Sequence, residues 1–572
     1  MTHLPFRRLK LVAALVVLLP ALVGAAGCAR RGAPAPQAAP SPASAGFTLL
    51  QINDAYKIEG LEAGRVGGMA RVRTLRQRLE ADGRPVLVLH AGDLLSPSVA
   101  SKYLAGAQMI DVLNDLDGDD GFDPRLVATL GNHEFDQQEL AVLLERLDES
   151  RFRWVSSNVR IRPAPGSAAE PLASRSDRVF DTLLLDLGGI RVGIFGLTLD
   201  DVSRDWLEVE YRDVEARYRE VRRAIADLQA GGAEYLIALT HQELGEDLEL
   251  ARDFPEIDRI VGGHEHIFLE RKVGDVWITK ADADAKSAVV IDVERTGSGF
   301  ESRHRKVDLV GEAVPADPSV LGRVATWLVR LEEVVEAKTG RRLLDVVAIT
   351  EHALEGVEPA IRGRETALGD FLADVLRARL ATDVAFINGG AIRVNDDVPA
   401  GGDVRVYELE GIFYYDNRPV AFEITGAELL ELLRKSVTET RLGHGRFLQV
   451  SGIRFRYRAW PVGEDEATRI DPGDVEVLDA ANGEFVPLEL DRTYSAASLD
   501  YLWKNGFRDG YPLFSEGAGR TSPPLLPRPE LSWRGITEEA IAALPGRRIR
   551  TDIDGRIERR EIDAPSGDGE SE

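Results

Sequence analysis

Five short apolar runs, each followed at once by a polar residue that can bind a metal ion, constrain the fold of this chain more than any other feature. The runs are FTLLQI (47–52), PVLVLH (85–90), LVATL (126–130), YLIALT (235–240) and IDRIV (257–261). Runs of this length are typical of buried strands, and amphipathic stretches with helical spacing lie between them. This alternation predicts an α/β body from Phe47 onward, either simply alternating or layered as αββα.

The residues that follow these runs suit a single metal site. They are Asn53-Asp54, Gly92-Asp93, Gly131-Asn132-His133-Glu134, His241 and Gly262-Gly263-His264-Glu265-His266. Because the carboxyl ends of neighbouring strands meet at one edge of a sheet, we expect these side chains to converge. Carboxylates, an amide oxygen and neutral imidazoles favour Zn²⁺, Mn²⁺ or Fe²⁺. A lone histidine at a strand end is more often structural, but four of the nine histidines fall in these loops.

Composition narrows the class of protein. The 572 residues are 44 % hydrophobic, as in ordinary globular proteins, and at about 150 residues per domain they predict two to four domains. The single cysteine, Cys28, excludes a scaffold built on disulfides. There are 70 basic and 95 acidic side chains, and the net charge of −25 argues against binding a nucleic-acid polymer. A small anionic substrate is compatible, because a local cationic or metal site can override the global field.

The N-terminus has the features of an export signal. Basic residues between positions 7 and 10 precede an apolar run, 11–26, that is short for a membrane-spanning helix. The run ends in Ala25-Ala26-Gly27-Cys28, which resembles a bacterial lipobox with alanine where leucine is usual. We therefore expect residues 1–27 to be a signal peptide and Cys28 to be lipidated, which would hold the protein outside the cytoplasm, with the periplasmic face of the outer membrane favoured. A plain secretory signal with an incidental cysteine is the alternative.

Two terminal segments lack the pattern of a packed fold. Residues 28–46 are rich in Ala and Pro and predict an extended tether. Residues 557–572 predict an acidic, disordered tail, since the last twelve positions hold five acidic side chains and no basic one.

The metal-binding residues resemble, in order and spacing, the motif series of calcineurin-like metallophosphoesterases, with GNHEFD (131–136) as the most specific element. Later segments resemble the bacterial 5′-nucleotidase, UDP-sugar hydrolase and cyclic-nucleotide phosphodiesterase family. The resemblance implies a four-layer αββα metallophosphoesterase domain at 47–315, a linker helix at 316–345 and a second α/β (α+β) substrate-binding domain at 346–556.

The resemblance also implies the roles of individual residues around two divalent ions (Mn, Zn, Fe or Co). The implied ligands are Asp93 for both ions, Asp54 and His266 for the first, and Asn132, His241 and His264 for the second. Such a pair of ions activates a water molecule and clamps the phosphoryl oxygens. His133 would stand beside the phosphoryl group as a cation or acid, oriented by Asp136.

One position departs from the family pattern. The first motif usually reads Asp-x-His, whereas this chain reads Asp54-Ala55-Tyr56. A tyrosine can bind a metal as a phenolate, which favours Fe³⁺, or it can only form a hydrogen bond while water completes the coordination. We treat Tyr56 as a candidate ligand and expect an active enzyme, because every other ligand is in place.

The predicted linker has a clear helical signal. Asp317-Pro318 is a favourable helix start, apolar residues recur at spacings of three and four from Val320 to Val335, and Gly340 is a favourable end. We interpret the apolar stripe as packing, without a catalytic role.

Four segments of the second domain resemble substrate-binding motifs of the family. They are GRETALGDFLADVLRA (363–378) with the preceding Arg362, FINGGAIR (386–393) with Arg393, YYDNRPVAFEITGAEL (414–429) with Tyr415 and Asn417, and YSAASLDYLWKNGFRDGYPLF (494–514) with Tyr501, Trp503 and Asp509. The resemblance implies that the arginines contact a phosphate or carboxylate. It implies that Tyr415 and either Tyr501 or Trp503 stack on a base, and that the Asn and Asp bind ring edges or ribose hydroxyls.

Three functions fit this sequence. The first is a metal-dependent, lipid-anchored phosphohydrolase that releases phosphate from 5′-nucleotides. The second keeps the metals but changes the substrate to cyclic nucleotides, UDP-sugars or the thiosulfate-forming substrate of a similar sulfur-oxidation family. The third is a noncatalytic lipoprotein that binds nucleotides, which only Tyr56 favours and which the His133–Asp136 pair opposes.

Overall fold

The computed structural model describes residues 45–463, 465–514 and 522–564. The predicted signal peptide, the lipidation site Cys28 and tether residues 28–44 lie outside the described residues, as do residues 565–572 of the predicted tail. None of the helices in the described ranges is both long enough and apolar enough to span a membrane.

The predicted N-terminal domain is built on two sheets. Its strands are β1 (Gly46–Ile52), β2 (Val86–His90), β3 (Leu126–Thr129), β4 (Arg153–Val155), β5 (Val159–Ile161), β6 (Glu170–Pro171), β7 (Val179–Phe180), β8 (Thr182–Leu187), β9 (Ile190–Thr198), β10 (Leu207–Val209), β11 (Tyr235–His241), β12 (Arg259–Gly262), β13 (Leu269–Val273), β14 (Val276–Lys280), β15 (Ser287–Thr296) and β16 (Gly299–Asp308). One sheet has the order β16-β15-β1-β2-β3-β4-β7 and the other β13-β14-β12-β11-β9-β8, while β10, β5 and β6 form a small third sheet. The five apolar runs of the sequence thus become β1, β2, β3, β11 and β12, as predicted.

Helices cover the outer faces of these two sheets. They are α1 (Met69–Ala81), α2 (Val99–Leu104), α3 (Ala107–Leu113), α4 (Leu140–Glu149), α5 (Val214–Ala230) and α6 (Leu244–Asp253). Alternation along β1 shows the layering, because Phe47 and Leu49 pack between the sheets whereas Leu50 and Ile52 pack toward α1 and α3. On the far side, β9 and β11 pack against α5 and α6. The predicted four-layer αββα arrangement is confirmed.

The linker helix α7 occupies Pro318–Thr339. The Asp317 carboxylate caps its N-terminus by accepting the backbone N–H groups of Ser319 and Val320, and Gly340 ends it in the left-handed conformation. Val320 and Val324 pack into the N-terminal domain, whereas the later part of the stripe packs beside α2 and the start of the C-terminal domain. The helix therefore belongs to the packing of both domains.

The C-terminal domain is of mixed α and β structure. Its helices are α8 (Glu358–Ile361), α9 (Ala367–Leu380), α10 (Val406–Ile412), α11 (Gly426–Ser436), α12 (Asp500–Asn505) and α13 (Trp533–Ala543). Its strands are β17 (Val346–Thr350), β18 (Val384–Asn388), β19 (Asp403–Arg405), β20 (Pro419–Thr425), β21 (Leu448–Ser451), β22 (Ile453–Val462), β23 (Asp465–Arg469), β24 (Val475–Asp479), β25 (Glu484–Pro487), β26 (Thr493–Leu499), β27 (Arg548–Ile549) and β28 (Ile557–Glu561). The central sheet has the order β20-β26-β18-β21, with α9 on one face and α11 on the other.

The strand β28 corrects the predicted boundary of this domain. Residues 557–561, expected to begin a disordered tail, run parallel to β22 with Phe455 opposite Ile557 and Ala459 opposite Glu561. The segment is mostly charged because it lies on an exposed edge, where side chains need not be apolar. The domain therefore extends at least to Glu561.

Candidate metal centre and substrate cleft

The loops that carry the predicted metal ligands are held in tight and unusual backbone conformations. Asp54, Asp93, His264 and His266 have positive φ angles of 50°, 57°, 91° and 59°, which non-glycine residues adopt rarely and mainly at functional sites. A Cβ on Gly131 would lie 2.1 Å from Asp93 Oδ1. The glycine is therefore required for the close approach of two ligand loops.

The predicted ligands converge at the carboxyl ends of β1, β2 and β11. Ligand atoms of Asp54, Asp93 and His241 all lie within 4.8 Å of one another, and all three residues are buried. His241 Nε2 is 3.2 Å from Asp93 Oδ2, and His266 Nε2 is 3.2 Å from Asp54 Oδ1. His264 enters the group through its backbone, whose N–H donates to Asp54 Oδ2 at 2.9 Å.

The donor atoms of this cluster fit a metal ion. His241 Nδ1 lies 2.8 Å from the Ala91 carbonyl oxygen and donates its proton there, so Nε2 is the ring nitrogen that faces the carboxylates. His241 Nε2 and Asn132 Oδ1 are both buried without a hydrogen-bond partner. Buried polar atoms without partners are costly, and a bound ion would satisfy both.

The electrostatics of the cluster favour positive charge at its centre. Against the opposing effect of burial, Asp93 and Asp54 raise the pKa of His241 to about 10. Burial, followed by the nearby His241, holds the pKa of His264 well below its usual value, so that its imidazole is neutral. A site that attracts cations and offers neutral imidazole nitrogens suits a divalent metal.

Tyr56 lies where the sequence places it, between the carboxylates and one histidine. Its phenol oxygen is 2.8 Å from His266 Nε2, 3.2 Å from Asp54 Oδ1 and 3.3 Å from Asp93 Oδ2. The side chain is buried, and burial together with the two carboxylates raises the pKa of its hydroxyl well above the usual value. Tyr56 therefore lies among the candidate metal ligands, within hydrogen-bond distance of Asp54, Asp93 and His266.

Glu134 orders the ligand loops, a role that sequence reasoning did not assign. Its buried carboxylate accepts the backbone N–H groups of Asp93 (2.9 Å), Leu94 (2.7 Å), Leu95 (3.0 Å) and Gly131 (2.5 Å). These bonds tie the loop after β2 to the loop after β3. The acidic residue inside the GNHEFD motif was visible in the sequence, but its partners were not.

His133 and Asp136 form a pair at the edge of the cluster. His133 Nδ1 is 3.0 Å from Asp136 Oδ2, which also accepts the Ser96 hydroxyl at 2.9 Å. Against the effect of burial, the Asp136 and Asp93 carboxylates raise the pKa of His133. The Nε2 atom is 3.9 Å from Asp93 Oδ2 and 3.4 Å from Arg393 Nη2, so it faces the space between the ligands and the C-terminal domain. This arrangement suits a proton donor or cation for an anionic substrate.

A cleft of about 370 Å³ lies between the two domains, over the metal centre. The predicted residues that line it are Asp93, Asn132, His133, Asp136, His264, His266, Arg362, Arg393, Tyr415, Asn417, Tyr501 and Asp509. Asp54, Tyr56 and His241 lie beneath its floor, where they are buried. The cleft thus brings together predicted residues from both domains.

The two aromatic candidates of α12 differ in position. Tyr501 lines the cleft, close enough to Asp509 for that carboxylate to raise the pKa of its hydroxyl. Trp503 instead packs against the core of the C-terminal domain and donates its indole N–H to the Pro523 carbonyl at 2.9 Å. Tyr501 is therefore the aromatic residue available to a ligand.

Two arginines of the C-terminal domain, Arg362 and Arg393, line the cleft and supply positive charge for an anion. Arg393 Nη1 is buried without a hydrogen-bond partner, and its guanidinium lies 5.7 Å from the centre of the Tyr415 ring. Arg362 donates to the Gly443 carbonyl at 3.2 Å and to Glu358 Oε1 at 2.6 Å. Asn388, at the end of β18, also lines the cleft with an unpartnered side-chain oxygen, and it was missed although it stands within the FINGGAIR segment.

Comparison with known proteins was made by family model, by sequence and by structure. The family model of the calcineurin-like phosphoesterases matches residues 47–268, and that of the 5′-nucleotidase C-terminal domain matches residues 346–516. A snake venom 5′-nucleotidase of Naja atra is 26 % identical over 81 % of this chain and 91 % of that protein.

Two solved structures, both from Thermus thermophilus, share the whole fold. A 5′-nucleotidase precursor superposes with a TM-score of 0.69 at 24 % identity, covering 90 % of this chain and 99 % of the other. The sulfate thiohydrolase SoxB gives 0.62 at 18 % identity, covering 91 % and 97 %.

Proposed function

We propose that this chain, a hydrolase that joins a calcineurin-like phosphoesterase domain to a 5′-nucleotidase C-terminal domain, releases phosphate from 5′-nucleotides with the help of bound divalent metal ions. One observation carries the proposal. The His133–Asp136 pair, Arg393 and several of the candidate metal ligands (Asp93, Asn132, His264 and His266) line the same cleft.

The residues that would hold the metal ions are those with suitable donor atoms. They are Asp54, Tyr56 and His266 on one side, Asn132, His241 and His264 on the other, and Asp93 between them. When bound, two such ions lower the pKa of a water molecule and neutralise charge on the phosphoryl oxygens.

The remaining chemistry belongs to side chains of the cleft. Arg393 binds the phosphate through its planar guanidinium, which suits tetrahedral anions. Water forms the new bond to phosphorus as the ester bond to the ribose oxygen breaks, and that oxygen takes a proton from His133. The attacking water keeps one hydrogen as a phosphate hydroxyl and loses the other as a proton, which restores the protonated form of His133. Asp136 holds the His133 ring in place through Nδ1, which leaves Nε2 directed toward the cleft.

The C-terminal residues of the cleft suit a nucleoside. Tyr415 and Tyr501 offer aromatic faces, and stacking on each is worth about 1–3 kcal/mol in other nucleotide-binding proteins. The Asp509 side chain has an oxygen without a partner, and Asn417 also lines the cleft, so that both are available to ribose hydroxyls or ring edges.

The test is hydrolysis of AMP, UMP, UDP-glucose, 2′,3′-cyclic AMP and bis-p-nitrophenyl phosphate, each with Mn²⁺, Zn²⁺, Co²⁺ or EDTA. Turnover is read as phosphate release for AMP and UMP, as the nucleotide product for UDP-glucose and cyclic AMP, and as p-nitrophenol for the last substrate. We expect metal-dependent turnover of the 5′-nucleotides and a loss of about 10²–10⁴-fold in kcat for His133→Ala. His352→Ala is the matched control, since this half-exposed histidine pairs with Asp552 away from the cleft.

Other outcomes of the same panel select the alternatives. Preference for the cyclic nucleotide or UDP-glucose would make the enzyme a phosphodiesterase, and silence toward all five would direct attention to thiosulfate-forming hydrolysis. Nucleotide binding without turnover under every metal would favour a noncatalytic protein. Activity gained only by Tyr56→His would locate the defect at the first metal position.

We further propose that the protein is lipidated at Cys28 and acts outside the cytoplasm. The support is the sequence of residues 1–28, in which a basic segment and an apolar run precede the cysteine. Fractionation of cells that express the wild type and Cys28→Ala tests this. Release of the variant from the membrane fraction is expected, and equal membrane retention of both would contradict it.

A further inference from the structure

Glu358 of the C-terminal domain reaches into the metal centre of the N-terminal domain. It is the first residue of α8, it is buried, and its Oε2 hydrogen-bonds to His266 Nδ1. Because a carboxylate of this kind accepts, Nδ1 carries the proton and Nε2 is left free. His266 Nε2 is the atom that faces Asp54 and Tyr56, so Glu358 selects the form of His266 that can bind a metal.

The other oxygen of Glu358 lies among the arginines of the cleft. Oε1 is 2.6 Å from Arg362 Nη2 and 3.5 Å from Arg393 Nη1. One carboxylate therefore contacts a proposed metal ligand of one domain and two proposed substrate residues of the other.

A second set of contacts holds Glu358 in place against the N-terminal domain. The Asn395 side-chain oxygen accepts the Glu358 backbone N–H at 3.2 Å, and its Nδ2 donates to Asp284 Oδ2. Asp284 Oδ1 in turn accepts the backbone N–H groups of Tyr56 (3.0 Å) and Lys57 (3.1 Å). The Tyr56 backbone and the His266 side chain are thus both connected to the segment around Glu358.

We propose that Glu358 is a positioning residue for His266, and that through it the C-terminal domain sets how tightly the first metal position holds its ion. Carboxylates that orient a metal-bound histidine strengthen binding at other metal sites, and their loss typically costs 10–100-fold in affinity. A coupling free energy is reciprocal. An ion bound at the first metal position should therefore also stabilise the segment around Glu358 in the other domain. The inference rests on the metal site of the proposed function.

The experiment measures binding of Mn²⁺ alone to the full chain by titration calorimetry. For Glu358→Ala we expect the affinity of one of two binding steps to fall 10–100-fold while the other stays within about threefold. Glu358→Gln keeps an acceptor for Nδ1–H but loses the charge, so its affinity is expected between those of Glu358→Ala and the wild type. Circular dichroism establishes that each variant is folded, and if Glu358→Ala is not, Glu358→Gln carries the test.

Glu355→Gln provides a matched control from the same segment. Glu355 pairs with Arg364 at 2.6 and 2.7 Å on the surface and does not line the cleft. Its Mn²⁺ affinities should equal those of the wild type. Equal affinities in the wild type and both folded Glu358 variants would overturn the proposal, as would a loss of the same size in Glu355→Gln.

Hydrogen exchange tests the coupling between the domains. Mn²⁺ should slow amide exchange in residues 357–363 of the wild type and should leave it unchanged in Glu358→Ala. Equal protection in both proteins would refute the coupling. Neither readout needs turnover, so a protein that hydrolyses no nucleotide but shows these metal responses would contradict the proposed function and leave this inference standing.

Discussion

At the scale of single residues, Arg393 has the clearest consequence for function. The guanidinium is held on one edge by the Gly390 carbonyl, which accepts its Nε–H at 2.8 Å, and it lies beside the Tyr415 ring. Its Nη2 is 3.4 Å from His133 Nε2 and its Nη1 is 3.5 Å from Glu358 Oε1, and the side chain lines the cleft. A buried cation in this position has its donors arranged before substrate arrives, so binding does not have to order them.

Arg393→Lys should lower kcat/KM for the preferred substrate by roughly 10–100-fold, since a charge-assisted hydrogen bond to an anion is worth about 1.5–3 kcal/mol. Lysine keeps the charge but lacks the planar fork, so it cannot hold the Gly390 carbonyl and phosphate together. Arg364→Lys, at a surface ion pair with Glu355, should leave kcat/KM unchanged. Steady-state kinetics of the two variants would decide the matter, and equal values would remove Arg393 from the binding machinery.

Sequence reasoning located the metal cluster because each ligand directly follows an apolar run, and strand ends converge in parallel sheets. It placed Asp54, Asp93 and His241 in three separate loops, and the structure brings their ligand atoms together. Glu358 was not predicted, since its contact with His266 spans 92 residues and no local pattern marks it. Contacts between domains depend on how the domains pack, which short-range patterns do not encode.

At the scale of elements, the chain leading into β28 is held by acidic side chains that lie far from it in the sequence. The Glu365 carboxylate accepts the backbone N–H groups of Asp554, Gly555 and Ile557, which holds the chain as it enters β28. Arg556 in the same segment forms two bonds with Asp374 of α9. The prediction of a solvated tail at 557–572 rested on the acidic composition of the last twelve residues, and it could not include these contacts with carboxylates distant in the sequence.

Asp370 sits in this acidic group as a buried acid. Neither of its oxygens has a hydrogen-bond partner, and burial, against the effect of Arg556, raises its pKa to about 9 from 3.8. The folded state therefore binds one proton more than the unfolded state between about pH 4 and pH 9. In this window the contribution of Asp370 to stability falls as pH rises, by up to about 1.4 kcal/mol per pH unit.

Asp370→Asn should remove this dependence, because an amide does not ionise and its N–H can donate to the neighbouring carboxylates. Urea denaturation at pH 5, 7 and 9 should show the variant gaining stability relative to the wild type as pH rises. Asp552→Asn, a change at a largely exposed side chain near the same segment, should follow the wild type. A constant difference between Asp370→Asn and the wild type at all three pH values would show that Asp370 does not hold a proton.

At the scale of the whole molecule, two groups of buried charged and polar residues are prominent among the contacts between the domains. One is the group around Glu358 and Asn395 beside the metal centre. The other lies farther along the interface, where the fully buried Glu410 of α10 meets α2. Tyr103 donates its hydroxyl to Glu410 Oε2 at 2.8 Å, and the Lys102 ammonium is 3.2 Å from the same oxygen.

Glu410→Ala should lower the free energy of unfolding by about 1–3 kcal/mol, because it leaves partly buried charged and polar partners without an acceptor. Those partners are Lys102 and Tyr103 of one domain and Arg534 of the other, whose Nη2 is 2.6 Å from Glu410 Oε1. Glu530→Ala, which breaks an exposed pair with Arg418, should cost less than about 1 kcal/mol.

The pH dependence of the free energy of unfolding shows whether Glu410 stabilises the protein by its charge or by its packing. Burial tends to raise the pKa of its carboxyl, but Arg534 and Lys102 hold that pKa below the unfolded value of 4.5. The stabilisation is therefore present above pH 4.5 and is lost as pH falls through the lower, folded-state pKa. The stability gap between the wild type and Glu410→Ala should narrow over that acidic range in urea denaturation. A gap that stays constant down to the acid limit of folding would mean that Glu410 joins the domains by its shape and not by its charge.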